Sequence, residues 1–281
     1  NGKGGCNIVH SHLISDAWSS TLICKQLMKN YLDLLNNRDT DNNSYSYIDY
    51  IEEEHNYLNS DRFKKDKQYW QDKYKILPEL ATLYKDVDDK PNSNANRIEC
   101  KLSENESDKI LDYCSKNHIS IFTFMLSIYS IYFSRILGLD KITLGTPILN
   151  RKNIKEKSTL GMYVNTIPID IILLENSSIK DLFEQTTKEV LTTLRHQRYP
   201  YIELLSYIRE KFNVSRGLYD IIISYQNAKT GANDSEIPYS AKWDFNGNIS
   251  ETLNIHISDI DATNRINIYY DYQTQKLTEN D

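Results

Sequence analysis

Apolar positions recur at helical spacing over 17–35, where Leu22, Ile23, Leu27, Tyr31, Leu34 and Leu35 fall on one side, so the pattern predicts an amphipathic helix. The preceding run, 6–11, is short and apolar and predicts a strand. A polar tract follows at 36–44 and reads as a loop. Residues 47–74 predict a helix in two pieces with mixed charge on the wet face. The stretch 86–96 (DVDDKPNSNAN) holds one valine and one alanine as its apolar members, which predicts a linker between two lobes, 1–85 and 97–281.

Beyond the linker a new unit begins. Residues 97–102 predict a strand. Ser103 with Glu106 forms a capping-box start for a helix reaching about 117. The most apolar segment, 119–137, contains several serines, Thr123 and Arg135; it predicts a core helix ended by Gly138, not a membrane span of about 20 mostly apolar residues. Strands are expected at 141–145, 164–174 and 220–226, helices at 179–196 and 201–212, a polar loop at 227–239, and closing strands near 249–257 and 265–272. Strands alternating with helices, then late strands of antiparallel type, predict a mixed α/β layered (α+β) fold.

Composition narrows the class. The chain has 281 residues, 40% hydrophobic and 26% charged, with a net charge of −6 and no long basic run, so a nucleic-acid footprint is not expected. Its four cysteines, Cys6, Cys24, Cys100 and Cys114, form no CxxC pair, which points to reduced thiols and a cytoplasmic setting rather than a disulfide framework or a zinc knuckle. No secretory signal opens the chain, and its start at Asn1 reads as a cut piece of a longer polypeptide.

The chemistry centres on His10, His12 and Asp16. Three readings stand side by side. Alternate residues on a strand point the same way, so His10 and His12 could share a cation; the common HxHxDH pattern is not completed, and no metal is expected. A histidine near a helix start can equally be a packing residue, with Asp16 an ordinary N-cap. The third reading is acyl transfer: a neutral imidazole can take a proton from an attacking amine or orient it, and an α-amine with a pKa of about 7.7–8.0 needs little activation.

Ser11-His12-Leu13-Ile14-Ser15-Asp16-Ala17 resembles the HHxxxDG motif of the condensation domains of nonribosomal peptide synthetases, which have the chloramphenicol acetyltransferase-like fold. Later segments resemble the family in the same order. Tyr47-Ile48-Asp49-Tyr50 is similar to YxDF, and residues 60–70 to the helix that follows it. Gly145-Thr146-Pro147 with Asn150-Arg151, and then Leu160-Gly161-Met162-Tyr163-Val164-Asn165-Thr166, are similar to the IGxFVNT region. His196-Gln197-Arg198-Tyr199-Pro200 is similar to HQDxP, Ser215-Arg216-Gly217-Leu218 to SRNPL, and Ser224-Tyr225-Gln226-Asn227 to the strand after it.

The resemblance implies two lobes around a tunnel, here a partial N-lobe and a complete or nearly complete C-lobe. A donor carrier protein brings an acyl or peptidyl thioester on a phosphopantetheine arm, and an acceptor carrier brings an aminoacyl thioester whose amine attacks it. Upstream and downstream peptidyl carrier proteins and an adjoining adenylation domain are the implied partners; the domain itself binds no cofactor, and neither nucleic acid nor membrane is involved. His12 takes the place of the catalytic histidine. Asp16 takes that of the structural aspartate, flanked by Ser11 and Ala17. Asn165, Thr166, Arg216 and Gln226 are expected at the tunnel.

Departures matter as well. Ser11 and Ala17 stand where the family has His and Gly, and Glu53 stands near the place of a tryptophan. The family's SxAQ and RHExLR segments, which precede the histidine motif, do not occur here. Asp16 is therefore expected to lack its arginine, and these residues alone are expected to be inactive. A noncatalytic recruiting module, an epimerising relative and an ester-forming relative share the motif and stay open.

Overall fold

The computed structural model describes residues 4–40, 45–84, 93–226, 244–258 and 265–281. Its elements follow the polar pattern closely. Helix α1 (Ala17–Leu35) is followed by α2 (Tyr47–Leu58), α3 (Asp61–Lys73), β1 (Ala95–Lys101), α4 (Glu104–Lys116), α5 (Ile121–Leu137) and β2 (Lys141–Ile148). Then come α6 (Ile154–Lys157), β3 (Asn165–Ile172), α7 (Ile179–Leu194), α8 (Tyr201–Phe212), β4 (Ile221–Gln226), β5 (Leu253–Ser258) and β6 (Asn267–Gln273). The expected loop at 227–239 and most of the expected linker lie outside the described residues; 95 and 96 already belong to β1.

The described residues form two compact units that do not meet at a single cut in the chain. One draws on Asn1–Ser60 and Leu149–Val164, the other on Asp61–Ile148, Asn165–Asn227 and Lys242–Asp281. The division expected at 86–96 differs for two reasons. Trp70 and Tyr74, at the end of α3, are buried with Ile167, Leu204, Ile208 and Leu218, so α3 belongs with the second unit. The excursion between β2 and β3 carries Arg151 to Asp16 and belongs with the first.

The second unit is built on a mixed six-stranded sheet of order β1-β6-β5-β4-β2-β3. β4 lies parallel to β2 and β5, and the remaining pairs are antiparallel. Ile142, Ile169, Ile171, Ile221, Ile223, Ile255 and Ile257, all β-branched, with Leu144, give the sheet a fully covered face, as strand propensity favours. Helix α5 packs there through Met125, Leu126 and Phe133; burying the Phe133 side chain alone contributes about 1.5–3 kcal/mol. Its serines do not weaken the core, because the Ser127 hydroxyl meets Thr186 Oγ1 at 3.0 Å and the Thr123 carbonyl at 2.9 Å. Gly138 ends α5 in the left-handed conformation (φ 69°) that a residue with a Cβ adopts only with strain. Among the described residues no single helix is long and apolar enough to cross a membrane.

The first unit differs from expectation in two places. Residues 6–11 form no strand, since their backbone finds no ladder partner among the described residues. The apolar stripe of α1 faces outward: Leu27, Tyr31, Leu34 and Leu35 are exposed, and the buried α1 residues are Ser19 and Thr21. Val9 and Leu13 are almost wholly exposed, at 87% and 89%.

Candidate active site

The site grows from the N-terminus of α1. Four backbone N–H groups at a helix start lack intrahelical acceptors. Asp16 holds extended backbone (φ −122°, ψ 179°), and its carboxylate accepts from Ser19 N at 2.8 Å. Such a cap stabilises a helix by about 1 kcal/mol. The same carboxylate accepts from Arg151 Nη2 at 3.0 and 3.1 Å and from Tyr163 N at 3.1 Å, with the Ser19 hydroxyl 2.9 Å away. Both charged side chains are fully buried. A buried ion pair is tolerated where further hydrogen bonds satisfy its remaining donors and acceptors; here they engage both carboxylate oxygens and both terminal guanidinium nitrogens, and the Arg151 Nε–H is left without a partner among the described residues.

Arg151 is the residue that overturns one expectation. Asp16 does not lack an arginine: its partner comes from the segment after β2, 135 residues later, rather than from an earlier motif. The guanidinium also donates to the carbonyls of Glu156, Thr159 (2.5 Å) and Gly161 (3.1 Å), and it lies 3.9 Å over the Tyr163 ring. One side chain thereby fixes the backbone of the whole 156–161 turn. The signal was present in the sequence, since Asn150-Arg151 sits just before the Gly161 motif, but nothing in the spacing ties it to Asp16. Helix α6, also unforeseen, leads into this turn with Asn153 as its cap.

Gly161 is required by close approach. Its N–H donates to the Ser19 hydroxyl at 3.0 Å, and a Cβ at this position would meet the Tyr47 ring at 2.1 Å. Tyr47 in turn donates its phenol to the Met162 carbonyl at 2.5 Å and sits edge-on to Tyr163. Burial pushes the Tyr47 phenol above its ordinary value, which keeps it a neutral donor. Trp18 adds a further tie, its indole N–H donating to the Lys157 carbonyl at 2.7 Å.

Against this rigid frame, His12 stands in the turn 11–15, exposed, with no hydrogen-bond partner for its ring among the described residues. Ser11 organises the backbone on its far side: its hydroxyl accepts from Leu13 N at 3.3 Å, and its carbonyl accepts from Ile14 N at 3.3 Å and from the Ser15 hydroxyl at 2.7 Å. Ala17 is exposed as the first residue of α1. His10 is not aimed at a shared cation with His12; both of its nitrogens meet serine hydroxyls, those of Ser15 and Ser20.

The four residues expected at the tunnel all lie in the second unit. Asn165 donates to the carbonyls of Gln197 and Tyr199, both at 2.9 Å, and accepts from Tyr201 N at 3.3 Å, so its amide staples the turn between α7 and α8. Thr166 is half-buried in β3 opposite Pro147. Arg216 donates to the carbonyls of Pro78 (2.7 Å) and Gly217 (3.1 Å). Gln226 ends β4, with its amide nitrogen 3.4 Å from His256 Nδ1. Asn227 lies outside the described residues.

Comparison with known proteins gives the frame a lineage. A model of the condensation domain family matches residues 5–280. The chain is 30% identical over 264 residues to surfactin synthase subunit 1 of Bacillus subtilis (strain 168), covering 94% of this chain and 7% of that protein. It is 22% identical over 268 residues to bacitracin synthase 1 of Bacillus licheniformis, covering 94% and 5%. It thus spans less than a tenth of these curated relatives. Among solved structures it resembles the first condensation domain of the CDA synthetase, with a TM-score of 0.77 at 16% identity, covering 96% of this chain and 59% of that one. A crystal structure of the starter condensation domain of rhizomide synthetase gives 0.76 at 19%, covering 95% and 60%. With a mixed sheet of matching architecture and a family match along almost its whole length, the chain belongs to the condensation domain family.

Proposed function

We propose that this chain is the histidine-bearing part of an amide-forming condensation domain of a nonribosomal peptide synthetase. The observation that carries the reading is the pairing of an exposed His12 imidazole, unengaged among the described residues, with a buried and fully bonded Asp16 four residues on. A frame of that kind holds a base still without consuming its lone pair.

In this reading the amine of a carrier-bound aminoacyl thioester attacks the carbonyl carbon of a carrier-bound acyl or peptidyl thioester. The nitrogen–carbon bond forms, the carbon–sulfur bond breaks, and the donor arm leaves as a thiol. The amine's proton passes to His12 and then to the departing sulfur. Because the α-amine titrates at about 7.7–8.0, His12 contributes by orienting it as well as by receiving its proton. Asp16 and Arg151 hold the turn and take no proton. Asn165, Thr166, Arg216 and Gln226 are retained as candidates to line the substrate path, Asn165 and Arg216 acting through the backbone they hold.

The phosphopantetheine arms belong to upstream and downstream carrier proteins, and an adenylation domain supplies the aminoacyl group, in a cytoplasmic assembly. The 281 residues alone are expected to be inactive, because they cover only about three fifths of the solved chains they resemble. The deciding experiment replaces His12 with alanine in the intact synthetase and follows amide formation from loaded carriers. A fall of about 10²–10⁴-fold is expected for loss of a positioned acid–base group. An unchanged rate removes His12 from the chemistry, and carrier binding without condensation in the unmodified protein makes the domain a recruiting module.

A further inference from the structure

We propose that His10 is a positioning residue that holds the His12 turn; the inference rests on the reading of His12 given above. The motif has Ser11 where relatives of the HHxxxDG type carry their first histidine, and the imidazole one place earlier, at His10, takes up a different task. Its Nδ1 meets the Ser15 hydroxyl, and its Nε2 lies 2.6 Å from the Ser20 hydroxyl. The ring therefore bridges the end of the turn and the first turn of α1, and its bond to Ser15 closes a loop of chain, 10–15, that contains His12.

Donor and acceptor accounting assigns the ring's protons. Ser15 has one hydroxyl proton and gives it to the Ser11 carbonyl at 2.7 Å. Toward His10 it can only accept, so Nδ1 carries a hydrogen. In the neutral ring Nε2 is then the acceptor, and the Ser20 hydroxyl donates to it. The chain Ser20 to His10 to Ser15 to Ser11 runs in one direction and ends on the carbonyl next to His12. Ser15 is buried and Ser20 half-buried, so the clamp is anchored at both ends although His10 itself is exposed. Without it, the backbone around His12 keeps only the turn contacts that Ser11 makes.

Two measurements test the clamp. Nitrogen-15 NMR of the 281-residue chain should show His10 as the Nδ1–H tautomer, and His10→Ala should broaden or average the His12 ring signals. An Nε2–H tautomer, or His12 signals unchanged in that variant, overturns the clamp whatever His12 does. In the intact synthetase His10→Ala should lower kcat about tenfold with KM little changed. His10→Asn, whose amide nitrogen takes the place of Nδ1, should recover most of the loss, and His10→Gln should not. Equal rates in all three variants alongside an inactive His12→Ala overturn the positioning role and leave the function standing. An active His12→Ala overturns the function, and the NMR result then reports a clamp with no reaction to serve.

Discussion

In the 11–16 turn a buried carboxylate grips backbone and an arginine, and the imidazole four residues earlier is exposed, with no hydrogen-bond partner among the described residues. In the turn after α7 the arrangement is reversed. The buried carboxylate of Asp66 grips the imidazole itself: His196 Nδ1 lies 2.7 Å from it, and Tyr69 stacks on the ring at 3.8 Å. Arg62 completes that site from the same helix, and the Trp70 indole donates to the His196 carbonyl at 3.1 Å. His256 is held likewise, with Nδ1 2.7 Å from the Ser224 hydroxyl and Nε2 3.2 Å from Asp271, which Arg97 grips at 2.6 and 2.8 Å. Acidic neighbours alone therefore say little about a histidine's work. What separates His12 is that its frame is bonded while its ring has no partner among the described residues.

The contrast can be broken at its strongest point first. Asp16→Ala leaves the Arg151 guanidinium buried without its carboxylate and should destabilise the first unit by about 3–5 kcal/mol, read from the urea midpoint followed by Trp18 fluorescence. An effect below about 1 kcal/mol would mean that the pair does not hold the turn. His196→Ala removes a charge-assisted hydrogen bond in the second unit and should cost about 1.5–3 kcal/mol, read from the urea midpoint followed by far-ultraviolet circular dichroism. Gly161→Ala drives a methyl into the Tyr47 ring; overpacking should cost about 1–3 kcal/mol, and Tyr47→Leu should return part of it.

The third site offers a pH test. Burial pushes the Asp271 carboxyl up, but Arg97 and His256 outweigh it and hold the group below its ordinary value. A carboxylate depressed in the fold contributes stability that is complete above its unfolded pKa of about 3.9 and is lost as pH falls toward the folded value. Arg97→Met should flatten that acid limb, and an unaltered limb would detach Asp271 from it. The smallest effect belongs to His12→Ala, whose exposed and unbonded ring should change stability by no more than about 0.5 kcal/mol while amide formation collapses.

Much of this was legible along the chain because local chemistry decided it. The caps Asp16 and Ser103 mark helix starts where they are found, and Gly138 marks an end. The 6–11 strand failed because a strand is made by its neighbour, and periodicity carries no information about whether a neighbour is present. The α1 stripe predicted a buried face, yet the pattern cannot say what lies opposite. Arg151 was visible as a motif residue, but its bond to Asp16 spans 135 residues and has no local signature. Asn165 was equally compatible with a substrate contact and a turn staple, and only the positions of residues 197–201 reveal the bonds it makes.

The separation of Asp16 from Arg151 also sets an order of events at the ribosome. At about 5–20 residues per second, the aspartate emerges roughly 7–27 s before the guanidinium that neutralises it. Throughout that interval the nascent helix start carries a solvated charge, and the turn that bears His12 has nothing to dock against. The backbone around His12 is therefore fixed only after β1 and β2 have been made.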